Sequence, residues 1–260
     1  MVFRKEEVGE DTMKINFENI STLDFQSSEA YKTLRTNIQF CGEEVKVVSF
    51  TSCQPNEGKS VLVFRLSVTM AETGKKVLLI DADIRKSVLV SRYQADKTGK
   101  GLSEYLTGQC KLDECVHSTN VENMDVLMTG PVAPNPSELL GSSKFQRMIT
   151  SLREKYDYIF IDCPPLGSVI DAAIVSANVD GAVLVIEHAA DSYKFVQKVK
   201  IQLEKSGCKI LGAVLNKVDM EGKGYYRKYY GKRYSHYYGI YSGRNYGAYY
   251  GKEEPKKDKK

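Results

Sequence analysis

Six short apolar runs punctuate this chain: VKVVSFTS (45–52), KVLLIDAD (76–83), MDVLMTG (124–130), YDYIFID (156–162), GAVLVIEH (181–188) and KILGAVLNK (209–217). A run that is apolar at nearly every position, not only at every second one, suits a strand covered on both faces. Helical spacings lie between the runs. Ala30, Leu34 and Ile38 recur at every fourth position ahead of the first, and Gly74 is placed to end the helix that follows it. Further helices are expected near Ser137 as N-cap, over 170–178, and from Asp191 to Ser206. Such alternation builds a doubly wound, mainly parallel α/β sheet with helices on both faces. Its ligands bind beyond the carboxyl ends of the strands.

The first run passes into Ser52-Cys53-Gln54-Pro55-Asn56-Glu57-Gly58-Lys59-Ser60, and a helix is expected to start there and include Val61. A strand, a glycine-lysine loop and a helix together offer a phosphate backbone N–H donors, a positive helix end and a cation. Lys59 would reach the β- and γ-phosphates of a bound nucleotide, and the Ser60 hydroxyl would ligate Mg²⁺. Cys53 stands where such a P-loop usually has its first glycine. Replacing Lys59 by methionine is expected to abolish the chemistry and leave the fold intact.

Two further runs end in carboxylates. Leu78-Leu79-Ile80-Asp81-Ala82-Asp83-Ile84-Arg85 brings two of them, two residues apart, to a strand end. Such a pair can hold Mg²⁺ through water and accept a proton from an incoming hydroxyl. Asp81 is slightly favoured as the base, with Asp83 the alternative, and Arg85 would steady a γ-phosphate or one of the two acids. Ile159-Phe160-Ile161-Asp162 reads as a Walker B strand whose Asp binds the hydration shell of Mg²⁺, and Cys163-Pro164-Pro165 stops it. Asn216-Lys217 ends the last run; Asn216 would touch the adenine or simply start a turn.

Beyond residue 221 the composition changes. Eleven of the 17 tyrosines crowd into the stretch 225–250: Tyr225, Tyr226, Tyr229, Tyr230, Tyr234, Tyr237, Tyr238, Tyr241, Tyr246, Tyr249 and Tyr250. Residues 221–260 carry 11 Lys/Arg against 4 Asp/Glu, a net of +7, whereas the rest of the chain is mildly acidic. With almost no aliphatic residues to support a core, this part is expected to be a flexible basic tail. The expected organisation is a flexible segment 1–27, a nucleotide-binding domain 28–221 and a tail 222–260. No run approaches the ~18 apolar residues of a membrane span, and the start has no apolar signal region, so a cytosolic protein is expected. The six cysteines have neither C-x-x-C nor zinc-finger spacing, so reduced, mostly packed thiols are expected.

Taken together these motifs resemble the bacterial tyrosine kinases (BY-kinases), a branch of the MinD/ParA-type P-loop ATPases. The resemblance rests on the loop Ser52–Ser60, the D-x-D-x-R segment 81–85 and the strand 159–162. It extends to Glu29–Asn37, to Pro134-Asn135-Pro136-Ser137-Glu138-Leu139-Leu140, and to the tyrosine cluster. The chain departs from the family pattern at Asn56, where glycine is usual, and at Lys32, where arginine is usual.

The resemblance implies an ATP- and Mg²⁺-dependent protein tyrosine kinase of capsular or extracellular polysaccharide synthesis. It would phosphorylate its own tail in trans and other protein substrates. It would form a homo-oligomeric ring through Glu29, Lys32 and Arg35. It further implies a separate membrane-bound activator that recruits it to the inner face of the membrane, and an opposing protein tyrosine phosphatase. Two rival readings are a MinD/ParA-type regulatory ATPase and a tail that binds polyanions through interleaved aromatics and cations. The first lacks its usual second lysine, since no Lys lies between Val47 and Gly58. No nucleic-acid partner is expected.

Overall fold

In the computed structural model, residues 14–18, 20–93 and 100–218 are described. The chain divides into a unit of residues 1–217 and a second of 218–260, and the sheet with its helices belongs to the first. The apolar runs become strands β1 (Val47–Ser52), β2 (Val77–Asp81), β4 (Met124–Leu127), β5 (Tyr158–Asp162), β6 (Gly181–Glu187) and β7 (Ile210–Asn216), with a short β3 (Val116–Ser118) added. They form one sheet in the order β3-β4-β2-β5-β1-β6-β7. Every pairing is parallel except β3 with β4.

Successive strand side chains point to opposite faces, and the core divides accordingly. Leu78, Ile80, Ile159 and Ile161 join one apolar cluster; Val77, Leu79 and Phe160 join the other. Helices α1 (Phe25–Gln39) and α2 (Lys59–Ala71) pack in the second, α2 through Leu62, Phe64, Leu66 and Met70. On the opposite face lie α6 (Ser143–Leu152), α7 (Asp171–Ser176) and α8 (Tyr193–Glu204). Short helices α3 (Leu89–Arg92), α4 (Leu102–Thr107) and α5 (Pro136–Leu140) complete the layers.

Several expectations need correction. The segment expected to be flexible, 1–27, is not so at residues 14–18: Ile15 and Phe17 are buried, and Ile15 pairs with the strand edge at Thr119. Phe17 stands edge-on to Phe64 at 4.8 Å between ring centres, so this short stretch caps the α2 face. The helix expected with Ser137 as its cap starts two residues earlier, at Pro136, with Asn135 as its cap. The fixed φ of proline and its missing N–H suit a first helical turn, which frees the Ser137 side chain for another partner. A separate α6 follows, capped by Ser142 and burying Phe145, Met148, Ile149 and Leu152. The tail tyrosines, Tyr225 to Tyr250, lie outside the described residues.

Candidate active site

Strand register brings the acids together. Asp81 ends β2 and Asp162 ends β5, and in the parallel ladder they are direct partners. Phe50 of β1 is the partner of Asp162 on its other side, so β1 delivers the loop 53–58 beside both carboxylates. Both acids are 1 % exposed.

The loop has the backbone that its sequence demands. Asn56 and Gly58 adopt φ of 68° and 84°. Asparagine is among the few non-glycine residues that visit this region readily, which is why it can stand at position 56. At Gly58 a Cβ would lie 2.3 Å from Asn216 Nδ2, so only glycine fits. Gly58 caps α2 with no side-chain acceptor, and this leaves the N–H groups of the first turn free for an anion. Glu57 is buried and holds the loop from within: its carboxylate accepts N–H bonds from Gln54 (2.7 Å) and Glu187 (3.1 Å). Gln54 donates its side-chain amide to Asp191. Pro55 is exposed; Ser60 and Val61 are half-buried in the first turn of α2.

Lys59 is 6 % exposed and forms an ion pair with Asp162, while its ammonium also lies 3.2 Å from the Ser60 hydroxyl. Burial is the largest single influence and works to lower the Lys59 pKa, but the charge and hydrogen bond of Asp162, with the Asp83 charge, together outweigh it; the net shift is upward, so the ammonium stays protonated. Asp81 accepts the Ser87 hydroxyl on one oxygen and the Asp83 N–H, at 3.1 Å, on the other. Burial, reinforced by the neighbouring Asp162 charge, pushes its pKa up to about 8. Asp83 is only half-buried; burial raises its pKa, against the Lys86 N–H bond at 3.0 Å.

The remaining expected residues have partners within the chain. The Arg85 guanidinium turns to neither Asp81 nor Asp83; it forms a fork on Asp171, Nε at 2.6 Å and Nη2 at 3.0 Å. Asn216 braces the loop, donating from Nδ2 to the Glu57 carbonyl at 2.8 Å, and Lys217 joins it by donating to the Asn56 carbonyl at 2.6 Å. On α1, Lys32 pairs with its helix neighbour Glu29 at 2.7 Å, while Arg35 donates to the Thr69 carbonyl of α2 at 3.0 Å. Ser87, Asp171, Ser137 as a ligand of Asp171, and Asp191 were not legible as site residues. Each sits away from a strand end and is brought in by a turn or helix start.

The buried cysteines Cys53 and Cys163 flank the site as packing residues. Burial holds both thiols above their ordinary range, Cys53 at about 12. Cys53 is also pressed by Gly167, where a Cβ would lie 2.1 Å from the Cys53 carbonyl oxygen.

The free α2 amides, the positive-φ loop, the buried lysine and the adjacent carboxylates are the donor set that a nucleoside triphosphate with Mg²⁺ requires. Fold and loop together define a P-loop nucleotide-binding α/β domain. In agreement, a family model described as an AAA domain matches residues 45–206. A MinD protein from Pyrococcus horikoshii, solved with Mg-ADP, superposes with a TM-score of 0.58 at 30 % identity, covering 70 % of this chain and 72 % of that one.

Closer likenesses narrow the class. A tyrosine-protein kinase CpsD of Streptococcus agalactiae is 43 % identical over 210 residues, 80 % of this chain and 91 % of that protein. The kinase domain of the Escherichia coli tyrosine kinase ETK superposes with a TM-score of 0.72 at 32 % identity, covering 76 % of this chain and 78 % of that one. The chain belongs to the bacterial tyrosine kinase family.

Proposed function

We propose that the protein transfers the γ-phosphoryl group of ATP to tyrosines of its own stretch 225–250, in trans between copies, and to other proteins. We further propose that it thereby regulates the synthesis or export of a capsular or extracellular polysaccharide. The observation that carries the catalytic part is the ladder register that sets Asp81 beside Asp162, under an uncapped helix end that holds Lys59.

When bound, ATP supplies the phosphoryl group and Mg²⁺ neutralises charge on the triphosphate. The α2 amides and Lys59 would bind the phosphates, Lys59 turning from Asp162 toward them. Ser60 and Asp162 would hold the metal, with Asp81 on the same side. Because Asp81 is buried, whereas Asp83 is half-exposed at the rim, the tyrosine hydroxyl would meet Asp83 first. We therefore assign proton acceptance to Asp83 and a place on the metal side of the site to Asp81, the reverse of the slight preference read from sequence. Phosphoryl transfer needs mostly positioning and charge neutralisation, which this arrangement supplies.

Among the described residues no helix is long and apolar enough to cross a membrane. With the family resemblance, this favours a separate membrane protein as activator and recruiter. Ring assembly through Glu29, Lys32 and Arg35, and reversal by a phosphatase, belong to the same reading. The test compares the full chain with one ending at residue 221, each given ATP and Mg²⁺ and probed for phosphotyrosine. Strong signal on the full chain and little on the short one is expected. Equal signal on both would refute the tail as acceptor, and ATP hydrolysis without phosphotyrosine would favour the regulatory ATPase.

A further inference from the structure

We propose that Asp171 is a positioning residue for phosphoryl transfer, acting through Arg85 on the turn that carries Asp81 and Asp83; the proposal rests on the kinase reading. Asp171 opens α7 and is 0 % exposed. A buried carboxylate without partners would be strongly unfavourable, so its partners show what it is there to hold.

They come from two other segments. Arg85, in the turn after β2, forks onto both carboxylate oxygens. Ser137 of α5 donates its hydroxyl to Asp171 Oδ1 at 2.6 Å and accepts Arg85 Nη2 at 3.0 Å. Burial opposes the charge on Asp171, but the bonds from Arg85 and Ser137 prevail and hold its pKa below the usual range. A planar two-point fork fixes orientation as well as distance, which a lysine could not do.

From Arg85 the order propagates into the site. The backbone N–H groups of Arg85 and Lys86 both face the Asp83 carboxylate, the latter at 3.0 Å. The Asp83 N–H in turn holds Asp81 Oδ1 at 3.1 Å. The turn 83–86 thus places both acids, and the Asp171 fork is its anchor to the helix layer. Releasing the fork lets the turn shift while the P-loop, held separately by Glu57 and Asn216, keeps its shape.

The test uses the full chain with Asp171→Asn, Arg85→Lys and both together. Three quantities are read: ADP affinity with and without Mg²⁺, melting temperature, and kcat and KM on a synthetic tyrosine copolymer. Metal-free ADP affinity should stay within about twofold of wild type, because the P-loop is untouched. The tightening by Mg²⁺ should shrink and kcat should fall about 10- to 100-fold, as for other residues that orient a site's ligands. The double variant should be no worse than the worse single one. A lowered melting temperature with unchanged kcat and unchanged Mg²⁺ dependence would overturn the proposal and leave a structural ion pair. If Asp171→Asn fails to fold, Arg85→Lys decides alone, since Arg85 lies on the surface. If the wild type transfers no phosphate, the kinase reading falls, and the Mg²⁺ dependence of ADP affinity still decides the role of Asp171.

Discussion

Replacing Lys59 by methionine leaves Asp162 and Asp81 side by side in the interior with no cation between them. The lysine and Asp162 side chains are 6 % and 2 % exposed, so water cannot take over the neutralisation. Removing one partner of a buried pair costs about 3–5 kcal/mol, because the remaining charge stays buried and uncompensated. For a domain of this size each kcal/mol lowers the melting temperature by about 2–4 °C, so a drop on the order of 6–20 °C is expected. The sequence reading, in which this substitution spares the fold, is revised accordingly. Lys59 also draws the Asp81 pKa down, so its loss favours the protonated acid further. Protonating Asp81 removes one of the two charges, and the penalty should therefore shrink between pH 9 and pH 6. Adding Asp162→Asn to Lys59→Met should recover at least half of the lost stability. Thermal unfolding followed by circular dichroism at both pH values measures all of this. A melting temperature within about 2 °C of wild type at pH 9, or no recovery in the double variant, would refute the reasoning.

Two further outcomes are expected from the same geometry. The Asp81 pKa of about 8 lies above the ~3.9 of an unfolded chain, so native protein holds the proton more tightly. The stability from that proton is full below about pH 4 and lost as pH rises through 8; Asp81→Asn should therefore gain on wild type steadily from pH 5 to 9 in urea unfolding, and a constant difference would contradict the assignment. Gly58→Ala must place a Cβ at φ 84°, 2.3 Å from Asn216 Nδ2; strain of about 1–3 kcal/mol and at least a tenfold loss of ADP affinity are expected by calorimetry, and unaltered ADP binding would count against the loop as the phosphate site.

The strands were legible because burial on both faces writes a continuous apolar run, as in Leu78–Ile80 and Ile159–Ile161. The loop was legible because its chemistry is local: Gly58 and Lys59 must be neighbours. That Asp81 and Asp162 would be ladder partners was not, since register depends on how two distant strands pair. Asp171 was invisible for a related reason. A lone Asp at a helix start reads as a dipole or cap residue, and only the folded chain brings Arg85 and Ser137 to it. Ile15 and Phe17 did carry a period-two signal, but two residues within a polar stretch are too few to outweigh their surroundings. Helix α6 had its cap at Ser142 and apolar residues at 145, 148, 149 and 152; it merged with α5 in the sequence pattern because only Gly141 separates α5 from that cap.

The most direct test of phosphoryl transfer between copies separates kinase from acceptor. The chain ending at residue 221 serves as kinase, the full chain carrying Lys59→Met as acceptor, and the two are mixed with ATP and Mg²⁺ before phosphate is mapped by mass spectrometry. Phosphotyrosine is expected on the acceptor between Tyr225 and Tyr250, and none when either partner is omitted. Phosphate absent from the acceptor, while wild-type full chain labels itself under the same conditions, would contradict transfer between copies.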